Sequence, residues 1–356
     1  MNNKLAMLPP AVNVETANIL KYNSRAMYIL GRLNGIAQTI PNQTILINTL
    51  PLLEAKESSA IENIITTHDE LYKESLFENI ISNPAVKEIQ NYNIAIKEGF
   101  KIVTNNQFLS INHIIELQSL IVKNNEGIRK LPGTVLMNEQ TGQIVYTPPQ
   151  DYNEIMLLLD NLEKFMNDDA IFNAEPLVKM AIIHYQFESI HPFYDGNGRI
   201  GRIINVLYLI LKGLLNLPIL YLSRYIIKNK TDYYRLLQQV RENNLWEEWI
   251  VFILKGVEET SEFTIKLVEN IKSLMQEYKH KIRNNFNFYS QDLLSNLFSH
   301  PYTKIEFLAN DLKVSRQTAA KYLDELAKYG ILKKVKIWKN NYYINEPLYK
   351  LFTESS

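Results

Sequence analysis

Apolar positions recur at helical spacing along most of this chain, and the pattern predicts a mainly α-helical fold. Residues 108–124 and 152–167 each show the period of an amphipathic helix. The apolar run over residues 203–211, in which Asn205 is polar, predicts a buried helix. Residues 8–76 are also expected to be helical, with breaks at Pro41-Asn42 and at Pro51.

Residues 127–149 depart from the helical pattern. Short β-branched runs flank a centre rich in turn-forming residues, which predicts a β-hairpin. An ordinary connecting hairpin would show the same pattern, so the spacing alone assigns it no function.

The C-terminal part predicts a separate unit. Residues 302–311 and 315–326 are expected to form two helices joined by a short turn, with Ser315 as the N-cap of the second helix. Strands over residues 331–338 and 341–345 would follow as a hairpin. Two such helices followed by a hairpin are typical of a winged helix-turn-helix domain.

Composition narrows the class of protein. The 356 residues carry 38 basic and 38 acidic side chains, so no global field attracts the chain to nucleic acid or to a membrane. The chain has no cysteine, which excludes disulfides, thiolate metal sites and a cysteine nucleophile. The N-terminus lacks the pattern of a signal peptide, so we expect a cytoplasmic protein with no membrane partner.

Residues 191–202, with the sequence HPFYDGNGRIGR, contain a phosphate-binding pattern. The apolar run that follows places Gly196 and Gly198 at a helix N-terminus, where free N–H groups and the helix dipole favour an anion. Arg199 and Arg202 are three residues apart and share one face of that helix, within reach of a polyphosphate.

Two further side chains in the same segment fit nucleotide chemistry. Asp195 precedes the turn, where a carboxylate can hold Mg²⁺ against phosphate oxygens. His191 begins the segment and is a candidate general base for an attacking hydroxyl. A solvated surface turn is the alternative, and it leaves the combination of these groups without an explanation.

The segment matches, without a mismatch, the HPFxDGNGRxxR motif of the Fic domain family, which the chain therefore resembles. Most Fic proteins transfer AMP from ATP to a Ser, Thr or Tyr hydroxyl of a protein and release pyrophosphate. The resemblance implies that His191 is the catalytic base and Asp195 the Mg²⁺ ligand. It also implies a set of nucleotide-binding residues: Gly196, Asn197, Gly198, Arg199, Ile200, Gly201 and Arg202.

Residues 58–63, with the sequence SSAIEN, fit the (S/T)xxxE(G/N) inhibitory motif of regulated Fic proteins. The resemblance implies a helix beside the active site in which Ser58, Glu62 and Asn63 are the inhibitory residues. Glu62 would pair with Arg202 and block the seat of the ATP γ-phosphate. The pattern is short, and a solvated helix glutamate would also satisfy it.

Two other segments acquire roles from the resemblance. The predicted hairpin would be the Fic flap, whose edge binds the target by strand addition, and Gly133, Thr134 and Val135 would lie over the nucleotide. Tyr234 and Arg241, seven residues apart on a helix capped by Thr231 or Asp232, would border the adenine and ribose. Aromatic residues on a helix more often belong to the core, so that reading stays open for Tyr234.

The expected architecture is a mainly α Fic fold with a β-hairpin flap and a C-terminal winged helix. We expect an N-terminal Fic-associated region over residues 1–83, a catalytic core over 84–256, a linker helix over 257–289 and the winged helix over 290–356. By resemblance, the partners would be ATP, a target protein and a second copy in a homodimer.

The C-terminal unit is a candidate DNA-binding domain. Between residues 304 and 345 there are nine basic and four acidic side chains, and Arg316, Gln317 and Lys321 begin the presumed recognition helix. Winged helices also mediate protein contacts, and both readings remain open.

Three alternatives to AMP transfer also remain open. Some Fic proteins remove AMP with the inhibitory glutamate as base, and others transfer phosphate, UMP or phosphocholine. The phosphate-transferring branch usually has a lysine at the position of Gly198, so this sequence argues against that branch. A transcriptional regulator with a vestigial catalytic domain is the third alternative.

Overall fold

The computed structural model of the chain describes residues 4–74, 83–137, 141–337 and 340–353. Helices dominate these residues, as the apolar periodicity predicts. In chain order the helices are α1 (Ala17–Ala37), α2 (Thr44–Ile61), α3 (His68–Glu74), α4 (Pro84–Asn106), α5 (Ile111–Val122), α6 (Tyr152–Asn167), α7 (Pro176–Ile190), α8 (Asn197–Leu211), α9 (Leu222–Lys228), α10 (Lys230–Asn243), α11 (Trp246–Asn285), α12 (Gln291–Ser299), α13 (Ile305–Leu312), α14 (Arg316–Lys328) and α15 (Glu346–Thr353).

Two small antiparallel sheets accompany the helices in the described residues. One pairs β1 (Leu136–Met137) with β2 (Ile144–Tyr146), which confirms the hairpin predicted within residues 127–149. In the other, β5 (Asn340–Ile344) lies between β3 (Tyr302–Lys304) and β4 (Lys333–Ile337).

Helices α7 and α8 lie at the centre of the larger part of the molecule. All residues of α7 from Leu177 to Ile190 are buried, and α8 is buried from Arg199 to Leu209, as its apolar run predicts. The two helices pack against each other, α4 and α5 contact α8, and α1 packs along α11. The end of α7 and the beginning of α8 therefore meet on a rigid base.

Helix α2 differs from the prediction, because Pro51 does not break it. Pro51 lies inside the helix and is buried, as are Leu50, Leu52 and Leu53 beside it. Proline removes one helical hydrogen bond, but an apolar face packed against neighbouring helices compensates for that loss. The helix therefore continues without interruption to Ile61.

The predicted linker helix is not a separate element. Helix α11 runs continuously for 40 residues, so the boundary expected between residues 256 and 257 falls inside it. Its buried positions continue from Trp249 through Val268 to Ile282, because the apolar stripe does not stop at the end of the core. We correct the prediction accordingly: the segment after residue 256 extends a core helix.

The C-terminal helices lie as predicted. Helices α13 and α14 follow one another across a short turn, and the Ser315 hydroxyl accepts a hydrogen bond from the Thr318 N–H at 3.1 Å, which confirms the N-cap. Strand β3 was missed, because residues 302–304 were assigned to the helix that follows. Trp338 and Lys339, expected in the wing, lie outside the described residues, and the winged-helix assignment stays a prediction.

Across the described ranges, no helix combines the length and the apolar character needed to cross a membrane.

Candidate active site

A six-residue loop, residues 191–196, connects α7 to α8 and is called the motif loop. His191 ends α7 in the left-handed conformation, with φ 48°, and Gly196 caps α8 with φ 81°. A side chain at Gly196 would be strained at that φ and would place its Cβ 3.2 Å from Val122 Cγ1. As predicted, the glycine-containing turn lies at a helix N-terminus.

The side chain of Asn197 locks the motif loop. Its Oδ1 accepts from the Phe193 N–H at 2.9 Å, and its Nδ2 donates to the Phe193 carbonyl at 2.8 Å. Asn197 and Phe193 are both buried. Both ends of the amide are therefore bound to Phe193, and the side chain holds the loop in shape.

Arg202 is buried and bound to the end of α2. Its Nε donates to Ser58 Oγ at 2.6 Å, and its Nη2 donates to the Ser58 carbonyl at 2.9 Å and to Glu62 Oε1 at 2.8 Å. Burial by itself lowers the pKa of Arg202, but the Glu62 carboxylate more than offsets this and raises that pKa above its usual value. The expected pair of Glu62 with Arg202 is therefore present as a contact.

The same carboxylate also reaches the first arginine. Glu62 Oε2 lies 2.8 Å from Arg199 Nε, as an ion pair rather than an aligned hydrogen bond. Arg199 further contacts Glu88 at 2.8 Å and Asp195 at 3.0 Å, and its side chain is only 3% exposed. Glu62 thus bridges both arginines, a geometry that the sequence did not indicate.

Gly198 makes room for this bridge. A Cβ built at Gly198 would lie 2.6 Å from Glu62 Oε1 and 2.9 Å from Arg202 Nη1. The carboxylate therefore lies against the first turn of α8, where the helix dipole and the two arginines favour an anion. Asn63 follows with φ 62°, a left-handed conformation that asparagine tolerates and that ends α2.

His191 is uncharged at neutral pH. Burial, and after it the positive charges of Arg129 and Arg241, lower the pKa of His191 to about 4. A neutral imidazole can accept a proton, so its protonation state suits the predicted role as general base.

Asp195 fits the requirement for a magnesium ligand. Its side chain is 68% exposed, and its Oδ1 accepts from the Gly196 N–H at 2.6 Å and contacts Arg199. No group of three potential ligand side chains occurs within the described ranges. Mg²⁺ usually takes one or two carboxylates together with substrate phosphates and water, so a single carboxylate beside a phosphate site is compatible with it.

Two of the predicted nucleotide-binding residues lie at the contact between α7 and α8. The Ile200 side chain is fully buried, and its N–H donates to the Gly196 carbonyl at 3.0 Å. A Cβ at Gly201 would lie 2.4 Å from Glu188 Oε1, so Gly201 allows α7 and α8 to approach. Both are variable positions of the motif, and their part in nucleotide binding stays a prediction.

Comparison with known proteins agrees with this geometry. The profile "Fic/DOC family" matches residues 108–209, "Fic/DOC family N-terminal" matches residues 20–101, and "Protein adenylyltransferase SoFic-like, C-terminal domain" matches residues 274–348. The chain therefore carries a Fic domain together with a Fic N-terminal region and a SoFic-like C-terminal domain. Its mainly helical structure with a small hairpin is accordingly a Fic fold.

Similar curated proteins are adenylyltransferases by name. "Protein adenylyltransferase Fic" from Aedes aegypti is 25% identical over 180 residues, 49% of this chain and 34% of that protein. "Protein adenylyltransferase fic-1" from Caenorhabditis elegans is 27% identical over 97 residues, 27% of this chain and 18% of that protein. The chain thus spans about a third or less of the length of these relatives.

Solved structures share the fold. A Fic family protein from Desulfovibrio desulfuricans superposes with a TM-score of 0.61 at 19% identity, covering 95% of this chain and 98% of that one. Fic-1 from C. elegans gives a TM-score of 0.54 at 19% identity, covering 70% of this chain and 74% of that one.

Gln150, which follows β2, holds the segment that precedes β1 in the hairpin expected to be the Fic flap. The Gly133 N–H donates to Gln150 Oε1 at 2.6 Å, and Gln150 Nε2 donates to the Thr134 carbonyl at 2.9 Å. Thr134 and Val135 are partly buried ahead of β1, and residues 138–140 lie outside the described part of the chain. Nucleotide binding by Gly133, Thr134 and Val135 stays a prediction.

Helix α10 brings one of its two predicted residues to the hairpin strand β2 and the end of α7. Arg241 lies 3.8 Å above the Tyr146 ring and 3.3 Å from Ser189 Oγ, whereas Tyr234 is half-exposed and packs edge-on against Tyr233. The helix begins at Lys230, with Asn229 as N-cap, so the caps expected at residues 231 and 232 were wrong.

Sequence reasoning missed two side chains that hold the flap to the motif loop. The buried Arg129 donates from Nε to the His191 carbonyl at 2.8 Å. The Tyr194 hydroxyl accepts from the N–H groups of Lys130 and Leu131 at 3.0 and 3.1 Å. A charged residue in a hairpin normally indicates solvent exposure, so the sequence gives no signal for the burial of Arg129.

The basic residues of the C-terminal helix α14 are exposed. The Arg316 side chain is 71% exposed and lies 3.5 Å from Glu306, and Lys321 is 72% exposed and lies 3.9 Å from Glu325. Loose surface pairs of this kind contribute little energy. DNA binding through Arg316, Gln317 and Lys321 stays a prediction.

Proposed function

We propose that this chain is a protein adenylyltransferase that transfers AMP from ATP to a Ser, Thr or Tyr hydroxyl of a target protein. One observation carries the proposal: a neutral His191 and the N-terminus of α8 lie at the two ends of one short loop, with Arg199 and Arg202 within the first two turns of that helix. The names of the curated relatives support the same chemistry.

The reaction follows from the roles of these groups. His191 takes the proton of the target hydroxyl, whose oxygen forms a bond to the α-phosphorus of ATP. The bond from the α-phosphorus to the bridging oxygen breaks, and pyrophosphate leaves. The charge of the bound phosphates raises the pKa of a nearby imidazole, which makes His191 a stronger base once ATP is seated.

The remaining residues bind and orient the phosphates. N–H groups at the start of α8 donate to phosphate oxygens, and Arg199 and Arg202 neutralise the β/γ end. Asp195 would hold Mg²⁺, which supplies further neutralisation of the phosphate charge when it is bound.

We propose further that Glu62 inhibits this reaction. Its carboxylate lies at the place where the phosphates would meet both arginines, at 2.8 Å from each. Phosphate and carboxylate compete for the same guanidinium donors, so ATP binds productively only when Glu62 is displaced. Ser58 supports the inhibited state by holding Arg202 from the same helix.

Intact-mass spectrometry after incubation with ATP and Mg²⁺ tests both parts. We expect the Glu62→Gly variant to gain the mass of AMP, the wild type to gain less, and the Glu62→Gly, His191→Ala double variant to gain none. Gain of a phosphate in place of AMP would contradict the proposed reaction. Equal gain by the wild type and Glu62→Gly would contradict inhibition by Glu62.

A further inference from the structure

We propose that Arg129 is a positioning residue, which fixes the backbone of His191 and couples it to the flap so that base and target hydroxyl stay aligned. The inference rests on the proposed AMP transfer, since it assigns a part in that reaction to a residue that does not touch the nucleotide.

The contacts of Arg129 join three segments. Its Nε donates to the His191 carbonyl at 2.8 Å, and its Nη2 donates to the Ile190 carbonyl at 3.3 Å and to the Pro149 carbonyl. Its own N–H donates to the Pro192 carbonyl at 2.9 Å. One residue at the start of the flap thus binds the end of the flap, the end of α7 and the motif loop.

Burial makes this arrangement informative. Arg129 is 0% exposed, and no carboxylate among the described residues pairs with it. A buried guanidinium is costly unless its donors are satisfied, and here backbone carbonyls accept from Nε and Nη2, while Nη1 has no partner among the described residues. An apolar side chain would fill the same space without that cost, so filling space alone does not explain an arginine at this position.

The backbone of His191 needs an external constraint. Its φ of 48° lies in the left-handed region, which a residue with a Cβ adopts at a cost. The hydrogen bond from Arg129 to the His191 carbonyl holds that peptide unit and therefore the direction in which the ring leaves the chain. Loss of the bond lets the ring sample other directions, and misplacement of a base lowers the rate more than it lowers binding.

The same guanidinium affects the charge on the ring. Burial, and after it Arg129 and Arg241, lower the pKa of His191, whereas the Glu188 backbone carbonyl, which accepts from the imidazole, and the charge of Asp195 oppose them. The geometry of Arg129 therefore supports the neutral form of His191 as well as its orientation.

Two variants in the Glu62→Gly background test the proposal. Arg129→Gln removes the charge and most donors, and Arg129→Lys keeps the charge but loses the planar fork. Lys130→Gln is the matched control. Lys130 is next to Arg129 in the chain, but its side chain is exposed, and its contact with Tyr194 is through the backbone N–H.

Kinetics of pyrophosphate release from ATP give the first readout. We expect Arg129→Gln to lower kcat by about tenfold or more, with KM for ATP within about twofold of the parent, and Arg129→Lys to recover part of kcat. The control should match the parent. The proposal would be overturned if kcat of Arg129→Gln equalled that of the control, or if a rise in KM accounted for the whole loss of kcat/KM.

Hydrogen–deuterium exchange gives a readout that does not depend on activity. We expect both variants to exchange faster in peptides covering residues 129–137 and 190–195 together, with the rest of the chain unchanged. Uniformly faster exchange, or loss of a cooperative melting transition in both variants, would make Arg129 a folding residue and overturn the proposal. Absence of pyrophosphate release from every Glu62→Gly protein would contradict the proposed function, while the exchange data would still decide the coupling.

Discussion

Helices α8 and α14 each carry two cationic side chains near their N-terminus, but the pair is buried in α8 and exposed in α14. Arg199 and Arg202 are 3% and 2% exposed and share one carboxylate at 2.8 Å. Arg316 and Lys321 are 71% and 72% exposed and have looser partners. The difference teaches that burial, more than residue type or position in a helix, determines how strongly a pair of cationic side chains binds an anion.

The largest effect should come from removing one arginine from each helix. In the Glu62→Gly background, we expect Arg202→Ala to lower AMP transfer by about 100-fold or more, because a buried phosphate-binding donor is lost. Arg316→Ala should leave the rate within about twofold. Radiolabelled AMP incorporation measures both, and similar losses in the two variants would remove the contrast.

A second effect concerns stability. With Glu62 present, we expect Arg202→Ala to lower the free energy of unfolding by about 3 kcal/mol, because it removes one of the two buried guanidinium groups that pair with the Glu62 carboxylate. Urea unfolding of the wild type and the variant measures the change. Restoration of most of the stability by the Arg202→Ala, Glu62→Gln double variant would locate the loss in the ion pair, and additive losses would contradict this explanation.

The pH dependence of the rate sharpens the contrast between buried and exposed charge. Since burial and two arginines lower the pKa of His191 to about 4, the neutral base persists below the usual histidine range. We expect the acidic limb of kcat/KM for Glu62→Gly to lie below about pH 6 and to move upward in Arg241→Met. An acidic limb at or above the ordinary pKa of histidine in Glu62→Gly would contradict the lowered pKa of His191.

The smallest effect is expected at the exposed helix. Arg316→Ala should change the free energy of unfolding by less than about 0.5 kcal/mol, since its partner Glu306 is also exposed. The urea midpoint measures this change. A loss comparable to that of Arg202→Ala would show that exposure does not separate the two regions.

The sequence was sufficient for α8 and for the helix N-terminus at which the motif loop ends. The buried run after Arg202 predicts α8, and the glycine turn before it predicts a helix N-terminus, since both depend on neighbouring residues in the chain. Ser315 was found as an N-cap for the same reason. Local patterns of this kind survive because tertiary contacts reinforce them.

Long-range contacts could not be predicted from such patterns. The bridge from Glu62 to Arg199 and the bonds from Arg129 to His191 join positions far apart in sequence. Pro51 and the continuous α11 were misjudged because tertiary packing, which the local pattern does not contain, decided both. The packing of Ile200 and Gly201 between α7 and α8 was also not evident from the motif, because both are variable positions in it.

The competition between a carboxylate and phosphate for Arg199 and Arg202 is the central claim, and the rate of AMP transfer by Glu62→Gln tests it most directly. Glutamine keeps the shape of Glu62 and removes its charge, and Glu57→Gln on the same helix is the control, because Glu57 pairs with Lys56 instead. The account predicts a rate at least about tenfold above wild type for Glu62→Gln alone. Equal rates for Glu62→Gln, Glu57→Gln and the wild type would contradict it.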